Sequence, residues 1–129
     1  MFKFMNEEKV KFVHFHIDQL ASHSATPSEW TMQLLVPQLK NGVVKRHLHS
    51  HPANSKIEMN NAEVWICCSG SCSFDVFSME KELVYSADLK PFEVLLVELG
   101  GNAITRSTPN FKFLEIKNGP FTGQNWEYF

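Results

Sequence analysis

Short runs of alternating apolar and polar residues, separated by turn-forming residues, divide most of this sequence. The turns include Asn41-Gly42, Gly100-Gly101-Asn102 and Thr108-Pro109-Asn110. Because side chains of a β-strand alternate between two faces, such runs bounded by turn residues predict strands. The predicted strands are residues 10–17, 30–36, 43–51, 63–68, 71–77, 83–87, 94–99, 103–107 and 112–116. No sustained helical period is visible, so we expect an all-β sandwich or barrel.

The composition fits one globular domain. The 129 residues are 43% apolar and 20% charged, with 11 phenylalanines and a net charge of −2. A chain of this length can bury a substantial core. We expect a single domain over residues 1–129, with an N-terminal strand and loop at 1–29, a barrel core at 30–118 and an aromatic tail at 119–129.

Charge and hydropathy patterns argue against two classes of partner. No cluster of lysine and arginine is present to follow a phosphate backbone, so we expect no nucleic-acid partner. The apolar run at 94–97 is far too short to span a bilayer. The N-terminal residues turn acidic before a signal-peptide core could form. We therefore expect a cytoplasmic protein with no membrane partner.

A row of three histidines, His47, His49 and His51, is the strongest functional signal. In an extended segment these side chains point to one face, because alternate residues share a face. Imidazole is the commonest metal ligand and the usual acid–base group near neutral pH. Glu63 begins the next predicted strand, and Glu58 is an alternative carboxylate. The row therefore predicts a metal or acid–base site in the barrel.

Two further histidines and three cysteines have simpler interpretations. In the strand at 10–17, His14 and His16 alternate with apolar residues, which predicts a solvated face or a subunit contact; a second metal pair is the alternative. Cys67, Cys68 and Cys72 lie too close together for a disulfide framework. We expect reduced core residues, with a zinc site as the alternative. The turn at 69–70 predicts that strands 63–68 and 71–77 pair as an antiparallel hairpin.

Residues 30–119 resemble the cupin family. The first cupin motif is matched by Gly42, His47-x-His49 and Glu63-x6-Gly70, with a longer gap between His49 and Glu63 than the family usually has. In the second motif the turn at 89–93 fits, but Phe92 stands at a glycine position and Glu98 at a proline position. The family's fourth metal ligand, a histidine, is missing. The resemblance implies a double-stranded β-helix, or jelly-roll, barrel.

The resemblance also implies a metal site. Its ligands would be His47, His49 and Glu63, with His51 a possible fourth, around a divalent Zn, Fe, Mn or Ni ion. The ending at 113–121 is similar to small cupin metalloproteins encoded with bacterial surface-polysaccharide genes. The stretch at 70–72 resembles sugar-nucleotide 3,4-ketoisomerases. We therefore expect a small-molecule enzyme acting on a carbohydrate or sugar nucleotide, most simply as a homodimer.

Three reaction classes stay open within the resemblance. An isomerase or epimerase would use His49 as base, with His47 or His51 relaying the proton and Glu63 nearby. An Fe(II) dioxygenase would use the two histidines and the carboxylate as a facial ligand set. A non-catalytic module would bind a small ligand at the barrel mouth, lined by Trp65 and other aromatic residues. Arg106 is the candidate clamp for a substrate phosphate or carboxylate, and Glu115 is expected at the rim.

Overall fold

Eight β-strands make up the sheets in the computed structural model, which describes residues 2–20, 24–35, 45–46, 48, 62–117 and 129. They are β1 (Phe2–Glu7), β2 (Val10–His16), β3 (Glu63–Ser69), β4 (Cys72–Phe77), β5 (Leu83–Leu89), β6 (Glu93–Leu99), β7 (Gly101–Ser107) and β8 (Lys112–Lys117). A 3₁₀ turn at Ile17–Gln19 follows β2. The all-β prediction is confirmed for this part of the chain.

The strands form two antiparallel sheets. One has five strands in the order β1-β2-β6-β3-β8, and the other has three in the order β5-β4-β7. Among the described strands no backbone ladder joins the two sheets, so side chains hold them together. The sandwich or barrel class is therefore confirmed, whereas closure into a cupin jelly roll stays a prediction.

The main core lies between the two sheets. Alternate residues of both sheets point into it, as expected from the two-residue period of a strand. Its buried members are Val10, Phe12, Trp65, Cys67, Cys72, Phe74, Val76, Leu89, Leu95 and Val97. We refer to the side of the five-stranded sheet that meets this core as its inner face. Each large apolar side chain buried here stabilises the fold by about 1.5–3 kcal/mol.

A second core covers the outer face of the five-stranded sheet. Here Val13 and Phe15 of β2 pack with Trp30, which belongs to the segment at 24–35. The predicted strand at 30–36 is wrong over its described part. Residues 30–32 form bends, residues 33 and 34 have no regular structure, and Leu35 makes an isolated bridge to Ser24. The segment is held against the sheet by the packing of Trp30 on β2, and it does not pair with an edge strand.

Glu98 anchors this covering segment. Its side chain points to the outer face and accepts hydrogen bonds from the backbone N–H and hydroxyl of Thr31 and from the backbone N–H of Met32. Only 4% of Glu98 is exposed. Glu98, which stands at a cupin proline position, therefore has a structural role here. It accepts hydrogen bonds from backbone N–H groups that are not paired in a sheet.

Replacing Glu98 with alanine is expected to destabilise the protein by about 2 kcal/mol, because it removes a charged acceptor from buried donors. The measurement is urea denaturation followed by tryptophan fluorescence, since Trp30 lies in the segment that Glu98 anchors. Glu98→Gln keeps one acceptor oxygen and should lose less stability. A loss for Glu98→Ala no larger than that of the exposed Glu80→Ala would contradict this role.

The expected hairpin of β3 with β4 is wrong. β3 pairs with β6 and β8, whereas β4 pairs with β5 and β7. Gly70 has a φ of +63° between these strands, and a Cβ there would stand 2.7 Å from the backbone nitrogen of Phe111. The turn therefore carries the chain from one sheet to the other instead of folding it back beside β3.

The N-terminal residues form a strand that the sequence analysis did not assign. β1 makes a hairpin with β2 through Glu8-Lys9, and Phe4 stacks on Trp30 with ring centroids 5.6 Å apart. β2 in turn pairs with β6, so it lies inside the five-stranded sheet. β1 and β2 are therefore part of the sheet that also contains β3 and β6.

The predicted histidine strand at 43–51 falls almost entirely outside the described residues. Of this range only Lys45, Arg46 and Leu48 are described; they lie in no strand, and Leu48 is 98% exposed. The strand prediction is wrong at these three positions. Alternating residues predict which face a side chain occupies only where the segment pairs with another strand.

Candidate functional site

Two carboxyl groups meet on the inner face of β3 and β8. Trp65 lies opposite Glu115, and Glu63 lies opposite Lys117, in the antiparallel register of the two strands. Residues paired in this way share a face, so Glu63, Trp65 and Glu115 all lie on the inner face. Glu63 and Glu115 lie close enough that each carboxyl group shifts the pKa of the other. Two carboxyl groups can hydrogen bond directly only when one of them carries a proton.

Burial decides which carboxyl group holds the shared proton. Loss of hydration raises the pKa of Glu63 to about 7, and its hydrogen bond to Glu115 acts in the same direction. The bond to Glu63 and the nearby Lys117 ammonium lower the pKa of Glu115. The pair therefore holds one proton near neutral pH, mainly on Glu63, as expected when two acids share a site.

Neighbouring side chains hold this carboxyl pair in place. The indole N–H of Trp65 donates a hydrogen bond to Glu63. The Lys117 ammonium lies 3.3 Å from the Glu115 carboxylate. The Trp65 ring is 5% exposed and meets Phe113 edge to face, with centroids 5.7 Å apart. An acid with a pKa near 7 in a fixed position can give or take a proton at physiological pH.

The raised pKa of Glu63 makes a prediction for stability. An unfolded glutamate titrates near 4.5 and the folded one near 7. Between these values the unfolded chain releases a proton that the folded protein keeps, so the free energy of unfolding falls as pH rises from about 4.5 to 7. Because the carboxyl is partly accessible, we expect solvent screening to limit the loss to about 1–2 kcal/mol.

Glu63→Gln is the test of this pH dependence. The amide can still accept from Trp65, but it cannot ionise, so the variant should be about 1–2 kcal/mol more stable than the wild type at pH 8 and equal to it at pH 4.5. Glu115 does not interfere. Its pKa is lowered from the usual 4.5, so its own contribution to the pH dependence of stability lies below pH 4.5. Denaturation curves at several pH values measure the difference. Parallel curves for the two proteins would contradict the assignment.

A second polar group lies in the core, and the sequence analysis missed it. The His14 ring is fully buried; its Nδ1 lies 2.9 Å from the Tyr85 hydroxyl and its Nε2 lies 2.7 Å from Glu93. The expected solvated face for His14 is therefore wrong. The alternative of a metal pair with His16 stays a prediction. His16 is partly exposed and caps the 3₁₀ turn.

Both faces of β2 are buried, which explains the error at His14. The three-stranded sheet covers one face, and the segment at 24–35 covers the other. Along β6, Glu93 lies opposite His16, whereas Val97 lies opposite Glu63. Glu93 and Glu63 are therefore about four residues, or roughly 13 Å, apart along the sandwich. The two polar groups occupy different ends of the inner face.

The structure brings together only part of the predicted site. Glu63 and Trp65 share the inner face of β3 and are hydrogen bonded. Arg106 pairs with Ser73 on the opposite, exposed face of the three-stranded sheet, away from Glu63. The remaining predicted residues, His47, His49, His51 and Glu58, lie outside the described residues. Their roles, and that of Arg106, stay predictions.

The metal prediction also depends on those residues. Within the described ranges, no group of three or more histidine, cysteine, aspartate or glutamate side chains is arranged to hold a metal ion. Glu63 is the one predicted ligand that the structure describes. Its carboxyl group is of the right chemical type for a mixed nitrogen and oxygen site, and its inner-face position agrees with the predicted arrangement.

The cysteines are free thiols. Cys67 and Cys72 are buried, as predicted, whereas Cys68 is exposed and does not belong to the core. Cys67 points into the core, so its neighbour Cys68 points to the other face of β3 by strand alternation. Burial raises the pKa of Cys67 and raises the pKa of Cys72 to about 11. Neither buried thiol is therefore activated as a nucleophile.

Comparisons with protein-family models, with curated proteins and with solved structures returned no match for this chain. The cupin family and the homodimer therefore stay predictions. Among the described residues, no helix is long and apolar enough to span a membrane.

Proposed function

We propose that this protein is a small-molecule enzyme of the cupin type that moves a proton on a carbohydrate or sugar-nucleotide substrate. The observation that carries the proposal is the position of Glu63 on the inner face, where it accepts a hydrogen bond from Trp65 and lies on the strand paired with that of Glu115. Burial and the neighbouring Glu115 raise the pKa of Glu63 to about 7. A surface carboxyl group is ionised at pH 7, whereas Glu63 still holds a proton in part of the molecules. That proton is available for acid–base chemistry.

In the proposed reaction, His49 removes a proton from the carbon beside a substrate ketone. The electron pair moves to the carbonyl oxygen and gives an enediol, and Glu63 supplies a proton to the substrate as the reaction proceeds. Glu63 then takes the proton of the other enediol hydroxyl, and His49 gives its proton to the former carbonyl carbon, so both groups end in their starting states. Trp65 keeps the Glu63 carboxyl group oriented through its N–H. The product is an isomer of the substrate, so no oxidant or reductant is consumed.

A metal-dependent function is the second candidate, and the inner-face position of Glu63 favours it. Glu63 with His47 and His49 would form a site of two imidazoles and one carboxylate, and His51 would be an additional ligand. A bound divalent metal would supply a Lewis acid for the substrate oxygen. In that case Glu63 would lose its proton to serve as a ligand, so the two functions make opposite demands on one residue.

Proton exchange tests the first candidate. Nucleotide-linked keto-sugars are incubated with the enzyme in D₂O, and deuterium uptake at carbon is measured by NMR. We expect uptake that depends on an ionisation near pH 7, and a loss of at least about 100-fold for His49→Ala or Glu63→Gln. Glu115→Gln should shift the pH profile, because Glu115 positions the proton. His16→Gln is the matched control and should retain exchange.

Elemental analysis separates the two candidates. Protein purified without chelator is analysed for Zn, Fe, Mn and Ni, in the wild type and in Glu63→Gln. Exchange without stoichiometric metal supports the proton-transfer enzyme. One metal per chain that is lost in Glu63→Gln, with oxygen consumption in the presence of Fe(II), supports the dioxygenase. Sugar binding with neither exchange nor metal would overturn both candidates in favour of a binding module.

A further inference from the structure

The His14 network joins the two sheets, which share no described backbone ladder. His14 belongs to β2 and Glu93 to β6, both in the five-stranded sheet, whereas Tyr85 belongs to β5 of the other sheet. The His14 ring also meets Phe74 of β4 edge to face, at 5.1 Å between centroids. Polar bonds buried between two sheets specify how those sheets align.

Donors and acceptors in this network match when His14 is neutral. The Tyr85 O–H donates to Nδ1, and the Nε2–H donates to the Glu93 carboxylate, so every proton has an acceptor. A second proton on His14 would turn Nδ1 into a donor. The Tyr85 oxygen would then have to accept, and its own proton would lose its acceptor at the partly buried margin of the core. An unsatisfied buried donor is costly.

Few charged groups near the His14 ring would stabilise a positive charge on it. Glu93 is the one carboxylate bonded to it, and its attraction is opposed by the loss of hydration and by the positive amino terminus of the chain. Lys3 of β1 lies opposite His14 in the sheet register, and His16 lies two residues along β2. β3 and β4 contribute the thiols of Cys67 and Cys72 to the same core. Both thiols are neutral near pH 7, so they neither stabilise nor oppose a positive charge on His14.

We propose that the His14–Glu93–Tyr85 network is an acid-released clasp between the two sheets. At neutral pH it holds β5 against β2 and β6. When His14 takes up a proton, the bond to Tyr85 is lost and the sheets separate at this end of the sandwich. The clasp is distinct from the proposed reaction site. Glu93 begins β6, whereas Glu63 lies opposite Val97, near the other end of β6.

The direction of the pH effect follows from burial. Loss of hydration lowers the pKa of His14 below its usual 6.5. In the unfolded chain His14 takes up a proton near pH 6.5, while the folded protein resists it. The stabilisation is therefore complete above pH 6.5 and declines as pH falls below it, by at most about tenfold in the unfolding constant per pH unit.

Two measurements test the clasp in the full-length protein. Nitrogen-15 NMR of the histidine side chains reports the protonation state of His14, which should be neutral with the proton on Nε2 at pH 7. Denaturation is then measured from pH 8 to 5 in a Glu63→Gln background, because Glu63 changes stability in the opposite direction over this range. We expect the unfolding constant of this protein to rise by up to about 5-fold between pH 6.5 and 5.5, relative to the same background carrying His14→Gln.

His16→Gln is the matched control on the same strand and should leave the pH dependence of the background unchanged. Should His14→Gln fail to fold, the NMR titration of the Glu63→Gln protein replaces the comparison: His14 should stay mainly neutral at pH 6.5, where the unfolded residue is half protonated. The proposal is overturned if the difference curve is flat from pH 8 to 5. A charged His14 at pH 7 would overturn it as well.

Discussion

Replacing Glu93 with alanine is expected to destabilise the protein by about 3 kcal/mol, the largest effect of any polar substitution described above. Glu93 is 5% exposed, and its carboxylate accepts the hydrogen bond from Nε2 of His14. Alanine would leave that donor unpaired in the core, where water cannot replace the lost acceptor. It would also leave a cavity beside the ring.

Urea denaturation at pH 7.5 measures this effect, because His14 is neutral at that pH and the acid release of the clasp does not contribute. Glu93→Gln keeps an acceptor and a similar volume, so it should lose only about 1–2 kcal/mol. The exposed Glu80→Ala is the control for removing a negative charge and should change stability by less than about 0.5 kcal/mol. A loss below about 1 kcal/mol for Glu93→Ala would show that the network is not a stabilising element.

Replacing Gly100 with alanine is expected to destabilise the protein by about 3 kcal/mol. Gly100 has a φ of +138°, a region that residues with a side chain rarely adopt, and a Cβ would stand 2.5 Å from the carbonyl oxygen of Phe77. This oxygen belongs to the backbone of β4, so it cannot move aside without disturbing the sheet. The turn from β6 to β7 would have to change shape.

Gly101→Ala is a closely matched control, because the two glycines are adjacent in sequence. A Cβ at Gly101 would meet the Phe129 ring and the Cβ of Phe77 at 3.5 Å or more, which is ordinary contact, and no positive φ constrains it. We expect a change of less than about 1 kcal/mol for this variant. Thermal and urea denaturation compare the two proteins, and equal losses would contradict the conformational argument.

The strand pattern was readable because it is local. β5, β6 and β8 agree with the predicted runs within two residues at each end, since alternating residues closed by turns leave few other solutions. Pairing was not readable to the same degree. β3 and β4 are separated by one short turn, yet they belong to different sheets because Gly70 adopts a left-handed conformation packed against Phe111.

The candidate site was foreseen in part for the same reason. The spacing of Glu63 from Gly70 drew attention to Glu63, and the structure places Glu63 on the inner face beside Trp65. Its partnership with Glu115 joins residues far apart in sequence, and no spacing could indicate it. Glu93 carried no signal at all, since an isolated glutamate after a turn usually lies on the surface.

By itself, the sequence determined the β class, most strand positions and the inward alternation of Glu63 with Trp65, because each depends on neighbours only a few residues away. The tertiary structure alone decided which strands share a sheet, that β2 is covered on both faces, and that His14 lies in the core. Those outcomes depend on what packs against a residue from distant parts of the chain. Burial then set the proton affinities of Glu63 and His14, since loss of hydration is a property of the assembled sheets.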